Sequence, residues 1–181
     1  MKLLSLLKVG PYKHPSDQRA KELWQRVSAY QIDEEGAAAP FSHRLAKEQN
    51  WSRELTLCAI EEYKRFMFLA VAAGHPVTPS KTVDEVWHLH LIYSRSYWEE
   101  FCVKVLDRII HHDPGNGNEG EQSLYNNQYH QTLDSYVRFF GEQPPMAIWG
   151  SQNGNNNVRS RIPETIAVLP LNGHCNGRVA E

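Results

Sequence analysis

The sequence predicts an all-α protein, a single compact bundle of about five to six helices with a flexible C-terminal tail. Three observations predict it. Apolar residues recur at spacings of three and four along several stretches, the period of a helix with one buried face. No stretch of any length alternates apolar and polar residues as a half-buried strand would. Hydrophobic residues make up 41% of the 181 positions and charged residues 22%, enough for a real core and too apolar for a disordered chain.

The first helix is capped by Ser16 and runs to about Tyr30, with Ala20, Leu23, Trp24 and Val27 on one face. Glu34, Gly36 and three alanines lead to Pro40 as a connection, and a shorter helix covers Phe41 to Lys47. The third helix has the clearest pattern. Ser52 or Asn50 caps it, and Leu55, Cys58, Ala59, Glu62, Phe66, Leu69 and Ala73 share a face. Gly74 suits the left-handed position that ends a helix, and Pro76 prevents continuation. Glu62 is either a buried partner for Arg65 or a histidine, or a snorkelling edge residue, and the edge placement is the expectation.

Residues 77–80 form a turn. Thr82 and Glu85 have the Thr-x-x-Glu spacing of a capping box, opening a helix through Trp87 to Tyr93. Ser94-Arg95-Ser96 breaks it before a further helix, Tyr97 to Leu106. A Gly/Asn loop follows from His111 to Gly120. The last helix, Ser123 to Phe140, places Tyr125, Tyr129, Leu133, Tyr136, Val137 and Phe140 on one side, and Gly141 and Pro144-Pro145 stop it. The domain is thus residues 1–150. Residues 151–181 form an Asn/Gly-rich tail, extended or disordered, containing a small apolar island at Ile162 to Leu171.

Net charge is −2, from 19 basic and 21 acidic residues, which gives no electrostatic case for nucleic-acid binding. Met1 to Val9 is too short and too interrupted, by Lys8 and then Pro11, for a signal peptide or a membrane span. Three widely spaced cysteines, Cys58, Cys102 and Cys175, fit neither a disulfide framework nor a thiolate zinc site, so a reducing, cytoplasmic compartment is expected. The partner expected is a protein or a small molecule.

Four of the nine histidines, His88, His90, His111 and His112, lie within 25 residues, flanked by Asp84, Glu85 and Asp113. Imidazole and carboxylate are the donors zinc and iron take. Helix geometry sorts them. Asp84 and His88 are four apart and share a face. His88 and His90 are two apart, about 200° round the axis, and cannot share an ion on a regular helix. His111 and His112 must arrive from elsewhere in the domain. The expected zinc or iron site is therefore Asp84 and His88 with His111 or His112, converging within about 4 to 5 Å of one point. Glu85 and His88 have the Glu-x-x-His spacing of di-iron bundles, but no second such pair exists.

His90 falls with Val86, Trp87 and Tyr93 and is expected to hold the core together. Tyr93 or Tyr97 is a proton donor or a pocket wall. Trp87, Tyr93, Tyr97, Trp98 and Phe101 line a pocket or fill the core. There is no Gly-x-Ser-x-Gly, no His-Glu-x-x-His and no phosphate-cradling loop, so nucleophilic catalysis has no signature here. Two functions follow. One is a metal-binding helical domain, or a small metal-dependent enzyme. The other is a non-catalytic interaction module in which the histidines are structural.

Glu62-Tyr63-Lys64-Arg65-Phe66, Pro79-Ser80, Val83 through Leu91, and then Tyr97 and Cys102 resemble the glycine-rich domain-containing protein-like family. The bacterial branch is closest in Arg95-Ser96-Tyr97-Trp98 and in His111-His112-x-Pro114. The resemblance covers roughly residues 16 to 150. It implies that Asp84, Trp87, His88, His90 and Tyr97 belong to the family's motif, and it implies no mechanism.

Overall fold

The computed structural model of the chain describes residues 18–112 and 119–150. Ser16, the segment Met1 to Val9, Asp113 and the tail 151–181 lie outside them. Among the described residues there are seven helices and no strand, so the all-α expectation holds. They are α1 (Gln18–Ala29), α2 (Phe41–Gln49), α3 (Arg53–Ala72), α4 (Lys81–Ile92), α5 (Ser96–Leu106), α6 (Glu119–Phe140) and α7 (Met146–Trp149).

α3 is the axis of the bundle. Ala59, Tyr63, Phe66, Met67, Leu69 and Ala72 are all buried, and α1, α2, α4, α6 and α7 pack around it. A helix apolar on most of its circumference belongs in the middle. Ser52 caps its start, its hydroxyl accepting from the Leu55 N–H at 3.2 Å. Asn50 instead ends α2 in the left-handed conformation, with φ of 55°. α2 starts without a side-chain cap of its own. Asp33, nine residues before Ser42, supplies one by accepting from the N–H and the hydroxyl of Ser42 at 2.8 and 2.6 Å.

The remaining helices differ from expectation in instructive ways. α5 is π-helical throughout, where a regular helix was expected from Tyr97 to Leu106. It ends at Asp107, itself left-handed with φ of 52°, and the Arg108 N–H closes back on the Cys102 carbonyl. α6 buries Leu133 and Tyr136 as its period predicts, and it also buries a polar stripe of Gln128, Thr132 and Ser135. That stripe docks the turn after α3. Thr78 donates its N–H to Thr132 and its hydroxyl to Gln128, and His75 Nε2 meets the Ser135 hydroxyl at 2.7 Å.

α7 was not expected at all. Four residues carry no periodicity, yet Ile148 and Trp149 are buried. Trp149 explains Glu62, which is 2% exposed and no edge residue. The Trp149 indole N–H donates to Glu62 Oε2 at 2.7 Å, and the Tyr136 hydroxyl donates to Oε1 at 3.1 Å. Arg65 stands 3.6 Å from the same carboxylate and is also ion-paired with Glu142. Burial raises the Glu62 pKa, and Arg65 and the two donors oppose that rise.

Cys175 lies outside the described residues. Cys102 is free and buried in the core. No described helix is long and apolar enough to cross a membrane.

Trp149→Phe keeps most of the apolar volume and removes the donor to a buried carboxylate. Urea unfolding should show a loss of about 1.5–3 kcal/mol, the range for a hydrogen bond to a charged group. A loss under about 0.5 kcal/mol would mean that α7 is not tied down through Glu62.

Candidate metal centre

α4 carries two sets of side chains. Val83, Val86, Trp87, Leu89 and His90 are buried, while Asp84 and His88 lie on the outer face with side chains 32% and 52% exposed. The helix is capped by Ser80, whose hydroxyl accepts from the Val83 N–H at 3.2 Å, so the Thr82–Glu85 capping box does not form. Glu85 turns to α2, accepting from Gln49 Nε2 at 3.1 Å. Its Glu-x-x-His spacing with His88 therefore serves helix packing.

His112 arrives from the end of the segment that follows α5. After the left-handed turn at Asp107, Ile110 is buried and its carbonyl accepts from the Tyr97 hydroxyl at 2.5 Å. The same hydroxyl accepts from the Trp87 indole N–H at 2.9 Å. One oxygen thus ties α4, α5 and the returning segment together. Two residues further on, the His112 ring lies over Trp87 with centroids 4.3 Å apart. His112 Nε2 is 2.7 Å from Asp84 Oδ1, His88 Nε2 is 3.7 Å from Asp84 Oδ2, and the two imidazoles are 4.6 Å apart. Ligand atoms of Asp84, His88 and His112 all lie within 4.8 Å of one another.

His111 does not join the group. It is exposed, and its ring sits 5.4 Å from that of Trp98. Tyr93 is away from it too. With Ile32, Phe41 and Ser96 it lines a cavity of about 90 Å³ that none of the three donor residues touches. Tyr97 is fully buried with its hydroxyl committed twice, so it positions rather than lines the site.

His90 is a core histidine with both ring nitrogens satisfied. Nδ1 meets the Tyr63 hydroxyl at 2.8 Å and Nε2 meets the Ser96 hydroxyl at 3.0 Å. Tyr63 is buried, and a buried hydroxyl that only accepted would strand its proton. Tyr63 therefore donates, Nδ1 accepts, and Nε2–H donates to Ser96, whose oxygen also meets the Tyr30 hydroxyl at 2.8 Å. In that tautomer His90 cannot take a proton from Ser96. The pair is no nucleophile and base, despite its spacing. Burial lowers the His90 pKa to about 3, so the ring is neutral.

An all-helical domain with two histidines and an aspartate gathered on one outer face is what the fold and the site define. The chain belongs to the UCP032817-like family, whose model matches residues 28–159. Neither the glycine-rich-domain name nor a bacterial branch gains support from that match, and the family's description assigns no ligand or activity. No curated protein and no solved structure matches the chain.

His90 makes stability depend on pH with a definite sign. Its folded pKa, about 3, lies below the ordinary 6.5. Between those values the unfolded chain binds the extra proton, so stability falls as pH drops below about 6.5, by up to about 1.4 kcal/mol per pH unit for this group. His90→Gln should unfold more easily at pH 8 and yet show a shallower acid slope in denaturant titrations from pH 8 to 5. Parallel slopes for the two proteins would show that His90 is not held neutral in the fold.

Proposed function

We propose that the protein is a metal-binding helical domain centred on Asp84, His88 and His112, taking zinc or iron(II). The observation that carries this is the meeting of a helical i, i+4 pair with a histidine 24 residues beyond it, all three donor atoms within 4.8 Å. Two neutral imidazoles and one carboxylate suit either ion and leave coordination positions free. Donors on one tetrahedral ion with bonds of about 2.1 Å stand about 3.4 Å apart. The 3.7 Å separation is close to that and the 2.7 Å one must widen, with each histidine facing a different oxygen of the Asp84 carboxylate and all three donors within 4.8 Å of one another. The ion would take the place of the proton now between His112 Nε2 and Asp84 Oδ1, so affinity should weaken with acidity.

Binding is better supported than catalysis. Two side chains of the motif that suit proton transfer are committed elsewhere, Glu85 to Gln49 and Tyr97 to Ile110. The competing function is an interaction module in which the histidines are structural. His90 favours it for that one residue.

Chelator-stripped protein reloaded with zinc should take up one ion per chain by elemental analysis and calorimetry. Asp84→Ala, His88→Ala and His112→Ala should each abolish stoichiometric uptake, while His111→Ala should retain it. Wild-type protein that takes up no ion, or His112→Ala that binds as the wild type does, would leave only the interaction module. Tyr97→Phe removes one hydroxyl outside the donor set. It should weaken zinc binding about 10- to 100-fold while helix content by circular dichroism is kept, the usual effect of losing a group that orients a ligand. Unchanged affinity would show that His112 is placed without it.

A further inference from the structure

We infer that a second copy of this chain completes the metal centre, with the exposed His111 of each copy donating to the ion held by the other. This rests on the metal-binding function proposed above. Among the described residues three donors are gathered, which leaves a tetrahedral ion one position short. Where that position opens decides what fills it. Asp84 and His88 stand on the outer face of α4 and His88 is half exposed, so the ion would sit at the protein surface. The cavity beside Tyr93 lies elsewhere. A surface ion is open to a side chain of another molecule as readily as to water.

Among the described residues, His111 is a donor that suits this role. It is next in sequence to His112, it is exposed, and its ring stands against Trp98 outside the intrachain group. It therefore flanks the centre without serving it from within. The surrounding surface also favours burial. Ile92 is 63% exposed one helical turn beyond His88 on the same face of α4, and Ile109, two residues before His111, is 47% exposed. Isolated exposed apolar residues are ordinary, but these two flank a group of donors.

Two-fold symmetry makes the arrangement close. In an isologous pair, the contact from His111 of one copy to the ion of the other is matched by its two-fold-related contact, giving two identical links. Once one link forms the other is intramolecular. An ion of +2 beside one carboxylate leaves each centre near +1, a repulsion between the two centres that solvent and salt screen, and the whole chain carries only −2.

Sedimentation velocity on the full chain, with chelator or with one equivalent of zinc, tests this. The expected result is monomer in chelator and dimer in zinc, with two ions per dimer. His111→Ala should bind zinc more weakly and sediment as monomer in zinc, and Ile92→Glu should weaken the dimer at least tenfold. Wild-type protein that binds one zinc and stays monomeric would overturn the dimer and leave the metal centre standing. A zinc dimer unaffected by His111→Ala would overturn the donor assignment. Failure to bind zinc at all would overturn both proposals together.

Discussion

Glu62, Tyr63 and Lys64 are consecutive on the buried helix α3, so each projects about 100° round the axis from the last. All three are polar and all three are buried, and a buried polar group without a partner costs about 1–3 kcal/mol. Each must therefore recruit a partner from a different direction. Lys64 donates to the Ser28 carbonyl and closes the end of α1. Tyr63 donates to His90 and fixes α4. Glu62 accepts from Tyr136 and Trp149 and holds α6 and α7. Apolar packing brings these helices together, and three adjacent polar side chains dictate which helix goes where. No described buried side-chain nitrogen or oxygen is left without a partner, as such an arrangement requires.

The candidate centre depends on that scaffold at one remove. α4 is fixed from within by Tyr63 through His90, and the Trp87 indole on the same helix reaches the Tyr97 hydroxyl. That oxygen then holds the Ile110 carbonyl, and the chain delivers His112 two residues later. An irregular segment is thereby placed by one hydrogen bond at its middle and one aromatic contact at its end. A donor set that spans a helix and a loop needs such anchoring, because loop backbone has no ladder of its own to fix it.

What the sequence disclosed follows the same division. Helical periodicity located the core faces of α1, α3 and α6. The i, i+4 rule paired Asp84 with His88, and the turn angle separated His88 from His90. These are local relations that regular geometry fixes. The choice between His111 and His112 was not legible, because residues 107–112 are irregular and their directions are set by Tyr97 and Asp107. Glu62 was misplaced for a related reason. Its partners Tyr136 and Trp149 lie 74 and 87 residues away, and Trp149 sits on a helix too short to show a period. The Thr82–Glu85 pattern was present but outcompeted, since Ser80 caps the helix and Gln49 takes the glutamate. Nothing in the composition of α5 announces a π-helix.

His88 and His90 show how far neighbouring residues can diverge. They are two positions apart on one helix and share a residue type. His90 is sealed among Tyr63, Ser96 and the rings of Phe41 and Phe101, held neutral by burial, with both nitrogens committed. Its chemistry is exhausted by architecture. His88 is half exposed beside a carboxylate and a second imidazole, and no contact within the core claims its ring. The motif Trp87-His88-Leu89-His90 therefore splits in purpose as it turns. Trp87, Leu89 and His90 are all inward, Trp87 and His90 position the helix and the loop, and the one outward residue, His88, is left available. A histidine count alone would have credited one four-histidine site. Burial and hydrogen bonding reduce it to two histidines and an aspartate, and the two histidines set aside are set aside for opposite reasons. His90 is wholly inside the fold, and His111 is exposed beside Trp98.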